Sequence, residues 1–212
     1  MGASQPDRSF EDALAARGFT RVAGVDEAGR GPLAGPVVAG AVILPPGLEM
    51  PGLNDSKRLS PRARAALNAR IRETCCVGVG IATVAEIDEI NILRASHLAM
   101  LRALEDLPQR ADHALIDGNM VPRGAPLPCE AVVKGDARSL SIAAASIIAK
   151  CTRDAIMVDL AQQYPGYGWE KNAAYPTKAH LDALERLGVT PHHRRSFAPV
   201  HKILCHAKSV SS

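Results

Sequence analysis

Aromatic side chains are scarce in this chain: three Phe, three Tyr and one Trp among 212 residues. That scarcity excludes a nucleic-acid module that stacks several bases on a sheet of rings. Long apolar runs are absent too. The longest, Val37 to Leu44, is far too short to span a bilayer, so no membrane contact is expected. The N-terminus carries Asp7, Glu11 and Asp12 and no apolar stretch, which argues against a secretory signal. Pro6 stands where a myristoylation motif needs Ser or Thr. No CxxC pair occurs among the five cysteines (75, 76, 129, 151 and 205), so neither a disulfide framework nor a zinc knuckle is read from them. Their apolar neighbourhoods suit small core residues in a reducing compartment, and a cytoplasmic protein is expected. Nor is charge one-sided, with 25 Lys and Arg against 22 Asp and Glu, a net charge of +3 and 47% apolar content. Such a composition excludes disorder and fibrous classes and suits one domain with a full core.

What is present is an alternation of strand-like and helix-like segments. Residues 1–20 are polar and read as a flexible leader. Arg21 to Glu27 and Val37 to Leu44 read as buried strands, separated by the turn GRGPLAGP. Ser60-Pro61 is a helix start, with Ser as the cap and Pro at the first helical position. Cys75 to Val84 reads as a third strand and Asn91 to Leu107 as a helix with apolar residues at helical spacing. Ala114 to Asp117 and Ala131 to Lys134 read as short strands. A long helix is expected from Ser139 to about Gln163, its first half so rich in small and apolar residues that it must pack closely on a sheet. Tyr164 to Pro176 reads as a loop and Thr177 to Leu187 as a short helix. The first three strands are linked closely enough to pair antiparallel, and the later ones are reached through helices. The expectation is a mixed-sheet α/β domain with a helical C-terminal region at 164–212.

Three carboxylate positions share one context. Asp26 and Glu27 end the first strand, Asp117 ends the fourth and precedes Gly118, and Asp136 follows the fifth and precedes a helix. In open α/β sheets, ligand sites gather beyond strand ends. Each acid alone is a common turn residue. Four converging acids would repel one another unless a cation neutralised them, and without Cys or His nearby that cation is a hard, oxygen-preferring one, Mg2+ or Mn2+. Asp26 and Glu27 should face opposite sides of a regular strand, so both serve one site only if the strand bends or ends at Glu27. Gly29 to Ala34 fits G-x-G-x-x-G/A literally, yet Pro32, Pro36 and the run that follows open a strand rather than the helix a dinucleotide turn requires. Two glycines around Arg30 offer bare backbone beside a permanent cation.

Basic residues cluster at Lys57 to Arg72, which holds six cations and no acid, and from Lys171 onward, whereas Glu86 to Asp117 holds seven acids and three arginines. That distribution suits a polyanion lying across an acidic, metal-dependent pocket, although solvated helix faces produce similar patterns. No Ser-His-Asp arrangement or G-x-S-x-G elbow is present, so acyl transfer by a nucleophile is not supported.

Several of these segments together resemble one known family. VDEAGRGPLAGPVVAGAVIL at 25–44 resembles the hallmark N-terminal block of ribonuclease HII, the type 2 ribonuclease H family. The resemblance continues through LNDSKRLS (53–60), EIDEINIL (86–93), LIDGN (115–119), VVKGDARSLSIAAASIIAKCTRD (132–154), YPTKAH (175–180) and HHRRSFAPV (192–200). It implies a ribonuclease H-like mixed β-sheet flanked by helices, with a catalytic domain at 21–163 and a substrate-contacting loop and basic tail beyond it. It implies cleavage of the RNA strand of RNA–DNA hybrids, and incision 5′ to ribonucleotides embedded in duplex DNA, by two Mg2+ or Mn2+ ions. Carried over position by position, the metal-binding carboxylates fall on Asp26, Glu27, Asp117 and Asp136. The element that touches the ribose 2′-hydroxyl falls on Gly29, Arg30 and Gly31, and the tyrosine that packs on the DNA-side sugar on Tyr175. The family often has Lys-Gly or Ala-Gly before that tyrosine, whereas this chain has Ala173-Ala174. Lys57 and Arg194 match basic motif positions that contact phosphates. No clamp-binding motif is visible in the tail, and a monomer without an obligate protein partner is expected. A DNA nuclease of the same fold and a non-catalytic nucleic-acid binder are the rival classes. The Gly-Arg-Gly and Tyr175 pair speaks against the first, and the four retained acids against the second.

Overall fold

A computed structural model describes residues 5–54, 56 and 59–209. Its centre is a five-stranded sheet built from β1 (Val22–Ala28), β2 (Val37–Ile43), β3 (Cys76–Ala82), β4 (His113–Asp117) and β5 (Cys129–Val132) in the order β3-β2-β1-β4-β5. The short links of the first three strands yield antiparallel pairs β1–β2 and β2–β3. Strands reached through helices pair parallel, β1 with β4 and β4 with β5. This mixed sheet is the one expected. β5 lies two residues earlier than anticipated, because Lys134 adopts a left-handed backbone (φ 55) that turns the chain into a 3₁₀ turn at Gly135–Ala137.

Eight helices complete the described residues: α1 (Ser9–Ala16), α2 (Pro61–Thr74), α3 (Val84–Ile90), α4 (Ile92–Glu105), α5 (Leu140–Gln163), α6 (Trp169–Asn172), α7 (Lys178–Leu187) and α8 (Ala198–Ser209). Ser60 caps α2 by accepting the Ala63 N–H at 3.2 Å, with Pro61 at the first position, as the sequence indicated. α3 was not expected. Thr83 and Glu86 form a reciprocal capping box that ends β3 and starts a helix at Val84, overriding the strand preference of that valine. Within residues 1–20, read as a flexible leader, Ser9–Ala16 form α1, which is tied down. Glu11 is buried and accepts from the Ser139 hydroxyl (2.7 Å), the Ser141 N–H (2.9 Å) and the Ser141 hydroxyl (2.5 Å), at the start of α5. The cysteines, expected in the core, are all free, four of them half-buried and Cys205 exposed.

α5 covers one sheet face and α4 the other. Ala143, Ala144, Ala145, Ile147 and Ile148 form one apolar layer with Val42 of β2, and Ala95, Ala99 and Ala103 form another with Ala23, Val25 and Ala39. Both helices approach so closely that the facing strand positions must lack a Cβ. One on Gly24 would lie inside the Ser141 backbone, and one on Gly80 inside that of Ala99 and Ala103. The small residues of α5 thus set the backbone-to-backbone distance between the sheet and the helix that borders the strand ends. No helix of the described residues is long and apolar enough to cross a membrane.

Gly24→Ala is expected to lower stability by about 1–3 kcal/mol through overpacking. Urea unfolding would show a lower midpoint with an unchanged m-value, and an unchanged midpoint would contradict the close approach of α5.

Candidate active site

The sheet topology brings the carboxylates together. β1 and β4 are parallel neighbours with Val25 opposite Ile116, which places Asp26 alongside Asp117 at the same strand ends. Asp117 pairs with Val132 of β5, and the chain then delivers Asp136 on the 3₁₀ turn. Asp117 Oδ1 secures that turn, accepting the Gly135 N–H at 2.6 Å. β1 runs one residue past Glu27, where the sequence reading needed the strand to bend or end. It pairs with β2 without a break through Ala28. Both Asp26 and Glu27 nevertheless border one cleft of about 380 Å³.

Asp26 is the most constrained of the four. It is 7% exposed, and Oδ1 accepts the N–H of Glu27 at 2.7 Å. Burial raises its pKa well above the usual carboxylate range, and the negative charges of Glu27, Asp117 and Asp136 raise it further. Burial also raises Glu27, opposed by the Arg30 guanidinium 3.1 Å away. Among the described residues no three Asp, Glu, His or Cys side chains are gathered tightly enough to ligate one ion. Oxygens of Asp117 and Glu27 are engaged by Gly135 and Arg30 instead. The donor set nevertheless fits a divalent ion: it is all carboxylate oxygen, and every charge acting on buried Asp26 is another acid. The other cations lining the cleft are already engaged, Lys150 with Asp154 (2.8 Å) and Arg153 with backbone carbonyls.

The Gly-Arg-Gly element and Tyr175 line the same cleft. Gly29 has φ +100, and a Cβ there would collide with the Arg153 side chain, so this position tolerates no other residue. Gly31 lies under the Tyr175 ring, 3.4 Å from where its Cβ would sit. Tyr175 is 43% exposed and presents its ring to the cleft mouth. Lys57 lies outside the described residues.

Arg194 is a correction. Read as a phosphate contact, it is 0% exposed and donates to the carbonyls of Gly29, Arg30, Pro32, Gly35 and Pro36 at 2.6–3.1 Å. Burial, and then the neighbouring Arg153, pulls its pKa down to about 9, so it remains a cation at neutral pH. Its charge is spent holding the glycine loop in shape. His193 is likewise buried, accepting the Thr190 N–H at 3.0 Å. His193 and Arg194 therefore underpin the loop, while Arg195 beside them is exposed.

Four cleft residues escaped the sequence reading: Ser56, Ser146, Lys150 and Arg153. Three of them carry a signal. Ser146, Lys150 and Arg153 follow one another at spacings of four and three, the polar edge of an otherwise apolar helix.

A mixed sheet with acids on neighbouring strand ends, facing a glycine-rich loop, defines a metal-dependent endoribonuclease of the ribonuclease H-like fold. The family model for Ribonuclease HII matches residues 23–200. The chain is 64% identical over 203 residues to the Ribonuclease HII of Ruegeria sp. (strain TM1040), covering 96% of this chain and 89% of that one. Its fold matches the crystal structure of the ribonuclease H2 from Pyrococcus horikoshii OT3 with a TM-score of 0.74 and 29% identity, over 89% of this chain and 99% of that one. It also matches the fold of Bst-RNase HIII, crystallised in complex with Mn2+, with a TM-score of 0.70 and 22% identity, over 93% of this chain and 74% of that one. The chain belongs to the ribonuclease HII family.

Because Asp26 has a raised native pKa, the folded protein binds that proton more tightly than the unfolded chain does. Stability is therefore complete below the ordinary aspartate pKa and is lost as pH rises through the native value. Asp26→Asn removes this loss. In EDTA at pH 7 we expect it to stabilise the protein and raise the melting temperature, with the gain vanishing in acid. A variant no more stable than the parent at pH 7 would contradict the buried-charge reading.

Proposed function

We propose that this chain hydrolyses the RNA strand of RNA–DNA hybrids and incises duplex DNA on the 5′ side of an embedded ribonucleotide, leaving a 3′-hydroxyl and a 5′-phosphate. The convergence of Asp26, Glu27, Asp117 and Asp136 beside a loop-and-tyrosine wall carries this reading. Those four acids would hold two Mg2+ or Mn2+ ions. When bound, the ions supply the Lewis acidity that activates water and offsets charge on the departing 3′ oxygen. Arg30 holds Glu27 toward its ionised form and orients it through their 3.1 Å contact. No dedicated side-chain base is needed, in keeping with the absence of histidine from the cleft lining.

Selection rests on the 2′-hydroxyl, the group that separates RNA from DNA at a given site. Backbone at Gly29 and Gly31 approaches it where a Cβ would intrude, while the Tyr175 ring packs against a sugar that lacks it. Arg30 and Lys150 flank the scissile phosphate path, and Lys57 adds a phosphate contact. In this division residues 21–163 hold the carboxylates, and 164–212 supply Tyr175. A reducing cytoplasmic location is in keeping with five cysteines that form no CxxC pair.

A labelled DNA duplex carrying one ribonucleotide tests this reading, beside an all-DNA control. With Mg2+ we expect a single cut 5′ to the ribonucleotide, abolished by EDTA and restored by Mg2+ or Mn2+. Asp117→Asn should lose about a hundredfold or more in rate while still binding the duplex. Cleavage of the all-DNA control, or cutting that persists in EDTA, would refute the proposal.

A further inference from the structure

Arg153 of α5 stands beneath both walls of the cleft, 1% exposed. Its Nε donates to the Pro36 carbonyl and its Nη2 to that of Ala34, both in the glycine-loop segment, while its Nη1 donates to the Ala173 carbonyl, each at 3.1 Å. The same side chain occupies the space a Cβ on Gly29 would need. One guanidinium thus ties together two segments that are remote in sequence.

The Ala173 end of that tie is under strain. Ala173 and Ala174 have φ of 47 and 63, left-handed values that strain a residue with a Cβ. They are held from outside: the Ala173 carbonyl by Arg153, and the Ala174 carbonyl by the Leu33 N–H at 2.8 Å. Tyr175 follows directly, with its ring over Gly31. The spacing between the glycine backbone and the ring is therefore set by contacts that cross between the two segments, and Arg153 is the buried one that spans them by a side chain.

We infer that Arg153 is a positioning residue that couples the Gly29–Gly31 loop to Tyr175, and so sets how strongly the enzyme prefers an isolated ribonucleotide over a run of ribonucleotides. This rests on the proposed roles of that loop and of Tyr175. A ribonucleotide followed by DNA is recognised by both walls at once, which requires a fixed distance between them. Inside a run of ribonucleotides the next sugar bears a hydroxyl, and the tyrosine contact contributes little. The planar fork of arginine serves three carbonyls in fixed directions, and a lysine cannot reproduce it.

The test measures kcat/KM on a duplex with one ribonucleotide and on a full RNA–DNA hybrid, for the parent, Arg153→Lys, Tyr175→Ala and the double variant. We expect Arg153→Lys to lower the ratio of the two values about tenfold. The double variant should show no further drop beyond Tyr175→Ala, the non-additivity of a coupled pair. Binding measured in EDTA should move the same way, with the preference for the single-ribonucleotide duplex over all-DNA reduced in Arg153→Lys. Equal losses on both substrates, or additive effects in the double variant, would overturn the inference. If Tyr175→Ala leaves the ratio unchanged, the underlying reading of Tyr175 fails. If it collapses the ratio while Arg153→Lys does not, only the coupling fails. Arg153→Met, which fills the volume without burying a cation, is the second variant should lysine prevent folding. A chain that folds with neither would make Arg153 a residue of the fold alone and likewise overturn the inference.

Discussion

Mutual repulsion among four acids at one edge of the sheet is the constraint around which this molecule is arranged. Parallel pairing of β1 with β4 forces Asp26 next to Asp117, and the 3₁₀ turn brings the charge of Asp136 to the same place. Burial makes the cost greater, because a carboxylate removed from water has lost the solvent that would screen its neighbours. A fold that accepts such an arrangement gives up stability to keep these acids side by side. The remainder of the structure keeps these side chains where they are. Glu11 fastens the start of α5, Asp117 itself caps the turn that carries Asp136, and Arg30 steadies Glu27.

Opposite the acids, the cleft wall is organised by buried cations. Arg194 and Arg153 together donate to the carbonyls of a loop that has no regular secondary structure to satisfy them. A glycine- and proline-rich segment can approach a substrate closely, but left to itself it would sample many shapes. Guanidinium groups solve this by offering several directed donors from a single side chain, and burial strengthens each bond. Two buried arginines, rather than exposed ones, thus keep that loop in shape.

Much of this was legible in the chain itself. The alternation of strand and helix signals, Ser60-Pro61 and the small-residue stripe of α5 reflect local chemistry; the last two appeared where expected, while β5 shifted by two residues and α3 was added. The four acids were legible because they share a local context, a strand end beside a turn. α1 and the regular course of β1 through Ala28 were not, since the first depends on Glu11 meeting serines far along the chain and the second on pairing with β2. Arg194 was misread for the same reason. A basic residue in a run of basic residues is usually solvated, and nothing nearby in the chain reveals the five carbonyls that enclose it.

The amino-acid sequence by itself determined the class of fold and the family, and singled out acids at neighbouring strand ends, because these follow from spacing, composition and motif order. Only the tertiary structure decided which cations line the cleft and which hold backbone, and how the glycine loop is joined to Tyr175. Those outcomes depend on burial and on directed contacts between distant segments, and a hydrogen bond's partner is set by three-dimensional distance rather than by position along the chain.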